Sequence, residues 1–559
     1  MDTTIRSLFD NAVRESPGRL ALEYVVDGNV NSKTYAEMDV SVRNLAELFA
    51  SLGIVPRKNP VALILENGPE WVETYLALSG CAIPVVPMDP KLRPREAVYI
   101  LKDAGCCAVI TDPAHVPLLE KVLPDLPDVH TVLLHVEDDT VPPDQICERP
   151  CLNIADRLPI VKYAAASAEG RYATTEPAPD DVAAIIYTSG STGTPKGAMI
   201  THGNFAADAA GALQGVKVLK SSDRFLVVLP LFHAFSFTAN MLLAISLRAR
   251  LQFVTSLRTI GEDMKRYRPT VMMAVPLLVE KIATKIENGL RTNRWMLFFQ
   301  ALHLRGLVKD IIRRQLGGAL RIVITGGAPC SVKVITIMRR FGIHVVEGYG
   351  LTEAAPIVTV TSPKVARIGT IGLPLPNITA RIDNPNEQGI GELVVQGPIV
   401  MKGYLNLPEA TAEALEDGWL HTGDLASIDP DGFITIRGRK KSLIVNREGK
   451  NIYPEEVEQC IARDPLLLDV LVLGYHDHEE IGEKVGAIIV PNESAFKAAD
   501  GSQLSHAEIE AKVRAIVQTQ CGDLATYKHP RKLDIRYEPL KRTAALKIQR
   551  KFYQGQLDR

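Results

Sequence analysis

The stretch of the sequence richest in groups that could do chemistry is AAIIYTSGSTGTPKGAMITHGNF at 183–205. An apolar run leads into a segment where Gly190, Gly193 and Gly197 alternate with Thr188, Ser189, Ser191, Thr192 and Thr194, with Lys196 among them. Glycine lets backbone N–H groups face an anion with no Cβ in the way. Hydroxyls add donors, and one lysine adds a mobile positive charge. Together these suit a polyphosphate. The segment is not a Walker A loop, because Lys196 is followed by Gly197 and not by Ser or Thr. A plain flexible linker would need neither the strand in front nor the lone lysine. A helix-like segment is expected directly after Lys196.

Such a loop needs a scaffold. Residues 35–52 place Met38, Val42, Leu45, Phe49 and Leu52 at steps of four and three, with Gly53 behind them. That spacing predicts an amphipathic helix with a stop. Short apolar runs follow at 60–65 (PVALIL), 82–87 (AIPVVP), 106–111 (CCAVIT) and 130–136 (HTVLLHV), with helical patterns between them. The alternation predicts βαβ units and a largely parallel sheet covered on both faces. From 137 to 180 the periodicity fades, and a long surface connection is expected. Residues 225–247 contain no Asp, Glu, Lys or Arg, which is long enough to raise a membrane span. Pro230, His233, Ser236, Thr238 and Asn240 favour instead a buried strand, FLVVLP, followed by a buried helix. Residues 281–314 carry eight basic side chains around WMLFFQALHLRGL (295–307). They suit either a membrane-surface helix or a solvated helix with one core face.

From 383 the texture becomes β-rich, with GELVVQG (391–397) and GFITIRG (432–438). After 440 a separate α+β pattern follows: helices near 454–463 and 505–518, and strands at 468–476, 483–490 and 533–538. The chain of 559 residues is 46% hydrophobic and 23% charged, so disorder, collagen and coiled coil are excluded. Its length suits two to four domains. The net charge of −2 provides no field to hold nucleic acid. The eight cysteines form no C-x2-C pair and read as buried reduced thiols. The N-terminus lacks an apolar core of signal-peptide length. The cytoplasm is the expected location, and a peripheral contact at the inner face of the membrane stays open.

Five motifs stand in order: YTSGSTGTPKG (187–197), GYGLTE (348–353), HTGD (421–424), GRKKSLIVNREGKNIYPEEVE (438–458) and TAALKIQR (543–550). On these the sequence resembles the adenylate-forming superfamily of acyl-CoA synthetases, peptide-synthetase adenylation domains and luciferases. LFHAFSF (231–237), ITGGAP (324–329) and LIVNREGKNIYP (443–454) are most like the bacterial fatty acyl-CoA ligase branch. The resemblance implies an α/β fold: a large N-terminal domain (1–438) of mixed, largely parallel sheets covered by helices, with a β-rich subdomain at about 370–438, and a small mobile α+β domain (439–559). It also implies activation of a carboxylic acid by ATP and Mg²⁺, then transfer to a thiol.

Within that resemblance each motif takes a role. Tyr349 and Gly350 would face adenine, Thr352 a phosphate, and Glu353 would be an oxygen ligand for Mg²⁺. Gly327 and Ala328 would line the adenine and acyl side. Asp424 would accept the ribose hydroxyls, and Arg439 would donate to the ribose. Lys547 would reach the carboxylate and α-phosphate during adenylation only. Lys441 would be the hinge, and Gly449, Lys450 and Asn451 would line the thiol tunnel in the other orientation. Two departures stand out: Leu546 replaces a frequent glycine, and Ser442 a frequent acid.

Amino-acid-activating members carry an aspartate in the segment that here holds His233, so an ammonium-bearing substrate is disfavoured. His233 reads equally as an acyl-pocket gate or as a satisfied core histidine. Phe232, Phe235, Phe237, Met241 and Leu242 around it are apolar. Burying an alkyl tail yields about 0.8 kcal/mol per CH₂. A medium- to long-chain fatty acid is therefore expected, with an aryl acid as the alternative. Coenzyme A is the expected acceptor, since no long insertion separates Glu353 from Thr422, and an acyl carrier protein is the rival. A non-catalytic nucleotide-binding protein would have no need of Lys196, Glu353, Asp424, Arg439 and Lys547 together. Oligomeric state is left open.

Overall fold

A computed structural model describes residues 3–136, 143–158, 170–189, 194–292, 305–363, 367–476, 482–498, 502–542 and 548–558. The chain forms two units, 1–380 with 395–420, and 381–394 with 421–559. The expected boundary at 438 falls inside the second unit.

The first unit is built on two nine-stranded sheets. One contains Val61–Leu63, Val85–Pro87, Ala108–Thr111 and Thr131–Leu134, the four runs expected to be strands. All are parallel: Val61 faces Val85 on one side and Ala108 on the other, and Ala108 faces Thr131. The sheet continues through Val182–Ser189 to the antiparallel strands Pro195–Thr201 and Gly403–Tyr404. Its other end differs from expectation. Residues 137–180 are not purely a surface connection, because Arg149–Asn153 pairs in parallel with Thr131–Leu134 and buries Cys151. The expected helix at 35–52 spans Tyr35–Ser51 and buries Met38, Val42, Leu45 and Phe49. It starts where it does because Thr34 and Glu37 form a reciprocal cap, with the Thr34 N–H donating to the Glu37 carboxylate at 2.7 Å.

The other sheet places Arg224–Val227, Val271–Ala274, Ile322–Gly326 and His344–Gly350 side by side and parallel. Segments 228–233, 327–329 and 351–353 therefore leave carboxyl ends of strands in one sheet, which is where open α/β sheets bind ligands. The apolar 225–247 stretch is a strand followed by a short turn of helix (Ala234–Ser236), a π-helical turn (Phe237–Leu242) and Leu243–Leu247. Among the described residues no helix is long and apolar enough to cross a membrane. Phe237 packs among Tyr75, Phe205 and Trp71 at ring-centroid distances of 4.5, 4.8 and 6.1 Å. The described parts of the basic 281–314 segment lie on helices Pro276–Thr292 and Arg305–Gln315, and Val279, Ala283, Ile286, Val308 and Ile312 join one core. The WMLFFQALHL portion lies outside the described residues.

Gly391–Gln396, Trp419–Ile428 and Ile434–Arg439, which fall mostly in the second unit, are neighbouring strands. Helices Pro454–Ile461 and His506–Gln520 cover a sheet of Leu467–Tyr475, Lys484–Pro491 and Lys532–Ile535. These match the α+β pattern expected after 440. All eight cysteines are free thiols.

His202, the first residue of helix His202–Val216, is fully buried, and its ring nitrogens have no hydrogen-bond partner among the described residues. Burial lowers its pKa from 6.5 to about 4. The unfolded chain takes up this proton near pH 6.5 and the folded chain does not. The neutral ring's contribution is therefore present above that pH and is lost as pH falls toward about 4. Equilibrium denaturation should show stability falling between pH 7 and pH 5, with His202 accounting for on the order of 2 kcal/mol. In His202→Leu that fall should be shallower; an unchanged slope would contradict the assignment.

Candidate functional site

The expected phosphate loop joins two strands of a hairpin. Val182–Ser189 runs up, Pro195–Thr201 returns antiparallel, and Ser189 faces Pro195, Thr188 faces Lys196 and Tyr187 faces Gly197. The strand after Lys196 replaces the expected helix, which begins only at His202 behind a Thr201–Asn204 cap. Gly197 is buried, and a Cβ there would lie 2.9 Å from Ile185 Cγ2 and 3.0 Å from Tyr187 Cζ. Its glycine is thus required by packing within the hairpin. Thr194 is exposed at the base of the turn. Gly190, Ser191, Thr192 and Gly193 lie outside the described residues.

Glu353 stands in a short 3-10 turn, Thr352–Ala354, directly after strand His344–Gly350. Gly350 cannot be replaced without rebuilding this turn, since a Cβ would fall 1.7 Å from the Pro356 carbonyl oxygen. Tyr349 pairs with Thr359 on the neighbouring strand and is half-buried. The Glu353 carboxylate accepts a hydrogen bond from the Tyr404 hydroxyl at 2.8 Å. The Lys196 ammonium lies over the same tyrosine ring, 5.1 Å from its centroid. Lys196 and Glu353 are thereby brought to the two ends of one side chain, which the sequence reading missed. Burial, followed by the Glu353 charge, raises the Tyr404 pKa far above its ordinary value, so it remains a donor.

Two further segments join this rim. Gly327, at φ +82°, and Ala328 are exposed beyond strand Ile322–Gly326. The Cys330 N–H donates to the Glu347 carboxylate at 3.1 Å, tying that loop to the strand that leads to Glu353. His233 is half-buried beside Phe232, and the Phe235 ring lies against Gly326, where a Cβ would meet it at 3.1 Å. Phe237, Met241 and Leu242 are core residues, which leaves His233 and Phe235 as the accessible residues of 231–242. A cavity of about 310 Å³ lined by Arg57, Lys58, Asp181, Val182 and Lys402 opens at the start of strand Val182–Ser189, the end away from the loop.

In the second unit Asp424 is buried, and Arg439 Nε lies 2.7 Å from its Oδ1 across a strand pair. Glu392 holds the preceding turn. Its carboxylate accepts from Gly423 N–H at 3.0 Å, from His421 Nδ1 at 3.3 Å and from Lys440 at 2.8 Å. Burial would raise the Glu392 pKa, but these donors, Lys440 first, hold it below the ordinary carboxylate value. Lys441 follows in an exposed turn. Gly449, Lys450 and Asn451 form a hairpin turn in which Asn446 Oδ1 accepts from Lys450 N–H at 2.8 Å. Lys547 lies outside the described residues.

The sequence model of the AMP-binding enzyme family matches residues 9–405, the span that holds the hairpin, the Glu353 turn and Tyr404. The chain belongs to this family. It is 34% identical over 445 residues to long-chain-fatty-acid–CoA ligase 6 of Mus musculus, covering 74% of this chain and 63% of that protein, so it spans less than two thirds of that relative's length. It is 32% identical over 512 residues to feruloyl-CoA synthase of Amycolatopsis sp, covering 90% of this chain and 89% of that one. The solved structure of ATP-bound MatB from Rhodopseudomonas palustris shares its fold, with a TM-score of 0.77, 25% identity and 100% of each chain covered.

Among the described residues no three His, Cys, Asp or Glu side chains cluster as a metal cage. Mg²⁺ prefers one or two carboxylates plus phosphate oxygens and water. Glu353, with Oε1 held by Tyr404, suits that role. Besides Tyr404, the sequence reading also missed Glu392 and Glu347, whose roles depend on backbone donors that no local motif announces. Removing the Glu392 carboxylate leaves the half-buried Gly423 N–H without its acceptor. Glu392→Ala should therefore destabilise the second unit by about 1–3 kcal/mol. Chemical denaturation monitored in that unit checks this, and a change below about 0.5 kcal/mol would remove Glu392 from its assigned part.

Proposed function

We propose that the protein is an AMP-forming acid–thiol ligase. The carboxylate of an organic acid attacks the α-phosphorus of ATP, the bond to the β-phosphate oxygen breaks, and pyrophosphate leaves. The thiolate of coenzyme A then attacks the acyl carbonyl, the bond to the phosphate oxygen breaks, and AMP leaves. The observation that carries this reading is the meeting of Lys196 and Glu353 on Tyr404 in a chain of the AMP-binding enzyme family. Lys196 and the hydroxyls of 188–194 neutralise the phosphates, and Glu353 holds Mg²⁺, which when bound supplies further neutralising charge. Tyr349, Gly350, Gly327 and Ala328 line the base, and Thr352 meets a phosphate. Asp424 takes the ribose hydroxyls, with Arg439 beside it. Lys547 serves the first step. A hinge at Lys441, separating 1–438 from 439–559, exchanges Lys547 for the Gly449–Asn451 turn before the second.

The acid we propose is a medium- to long-chain fatty acid. Similarity to a long-chain-fatty-acid–CoA ligase and the apolar 231–242 segment support it. An aryl acid is the second reading. It is favoured by the similarity to feruloyl-CoA synthase and by the close packing of Phe237, Met241 and Leu242, which leaves only His233 and Phe235 accessible. The reaction is proposed for the cytoplasm. A carrier-protein arm as acceptor and a contact with the inner membrane face are its variants.

Acid-dependent exchange of labelled pyrophosphate into ATP tests the first step, run with saturated acids from acetate to stearate and with benzoates and cinnamates. Exchange should rise with alkyl chain length. Best exchange with cinnamates selects the aryl reading, and no exchange with any acid refutes the ligase. Lys547→Ala should lose exchange by at least about a hundredfold while still converting supplied acyl-adenylate and coenzyme A to thioester. Equal loss of both steps would contradict the two-orientation mechanism.

A further inference from the structure

Tyr404 lies outside every motif that first pointed to the site, yet it touches both of the site's charged groups. Its backbone is fixed independently of its side chain. Gly403–Tyr404 pairs antiparallel with the hairpin strand, Ala198 facing Tyr404, and the Tyr404 N–H donates to Thr411 Oγ1 at 2.9 Å. Gly403, at φ +142°, permits this approach, because a Cβ there would meet Thr411 Cγ2 at 2.7 Å. The ring therefore stands between the strand that carries Lys196 and the turn that carries Glu353.

We propose that Tyr404 is the positioning residue of the phosphate and Mg²⁺ site, orienting the Glu353 carboxylate through its hydroxyl and the Lys196 ammonium through its ring face. The proposal rests on the ligase reading above and deepens it. The hydroxyl occupies Glu353 Oε1, and Oε2 has no partner among the described residues. A carboxylate pinned at one oxygen offers the other to a cation in a defined direction. The ring face attracts an ammonium within about 6 Å, and Lys196 is inside that range. An aromatic face holds the cation without neutralising it. Among the described residues Lys196 makes no ion pair with Glu353 or any other carboxylate. Lys196 thus keeps its full charge for phosphate, and Glu353 keeps its own for the metal. A direct Lys196–Glu353 pair would cancel both.

The hydroxyl and the ring make separable contributions, so two variants of the full chain test them. Tyr404→Phe keeps the ring and removes the hydroxyl; Tyr404→Leu removes both. Titration calorimetry of ATP, with and without Mg²⁺, needs no turnover. In Tyr404→Phe the Mg²⁺-dependent gain in ATP affinity should fall by about fivefold to tenfold, with metal-free ATP affinity unchanged. In Tyr404→Leu metal-free ATP affinity should also weaken, by about threefold or more. In pyrophosphate exchange, half-saturating Mg²⁺ should rise in Tyr404→Phe while the KM for the acid stays constant. A purely structural tyrosine would lower the thermal midpoint without moving the Mg²⁺ dependence, and that result overturns the proposal. If the native chain shows no exchange with any acid, the ligase reading fails. The calorimetric comparison then still decides for or against Tyr404.

Discussion

Three backbone hydrogen bonds tie the Glu353 turn and the Lys196 strand to one short segment. The Met401 N–H donates to the Glu353 carbonyl at 2.9 Å, Lys402 to Met199 at 2.9 Å, and Leu405 to Gly197 at 2.8 Å. Met401–Leu405 is thus a strap between the turn that carries the acid and the strand that carries the lysine. Neither element reaches the other through a sheet of its own, since they belong to different nine-stranded sheets. Backbone bonds fix the strap, with glycine required at 403, which leaves the side chain of Tyr404 available for the charged groups.

Electrostatic separation is the second theme. Lys196 sits on a ring face and Glu353 on a phenol hydroxyl. In the second unit Glu392 gathers Lys440, His421 and the Gly423 N–H, while Asp424 faces Arg439. In both places a carboxylate gains orientation from hydrogen bonds. For the proposed reaction such oriented groups matter, because groups already in place require no rearrangement when charge develops on a phosphate.

Much of the scaffold was legible because its signals are local. The Thr34–Glu37 cap and the spacing of Met38, Val42, Leu45 and Phe49 fix a helix by themselves. The chemistry proposed for Lys196 and Glu353 rests on residue type and motif. Three features were not legible, each for a nonlocal reason. Residues 195–201 form a strand because they pair with Val182–Ser189 and Gly403–Tyr404, although the Thr201–Asn204 cap does mark the true helix start. Arg149–Asn153 lacks an apolar period and is a strand because it pairs with Thr131–Leu134 on one side and Gln145–Ile146 on the other. Tyr404 acquires its contacts through the strap, which no window of sequence around it reveals.

The central claim is that Lys196 and Glu353 act on one bound Mg²⁺–triphosphate. A double-mutant cycle on the calorimetric affinity for Mg²⁺–ATP, using Lys196→Ala, Glu353→Gln and the pair, tests it most directly. Residues sharing one ligand network should couple by about 1 kcal/mol or more, so the double variant departs from the sum of the singles. Additivity within about 0.3 kcal/mol, or affinity untouched by either single change, would contradict the account.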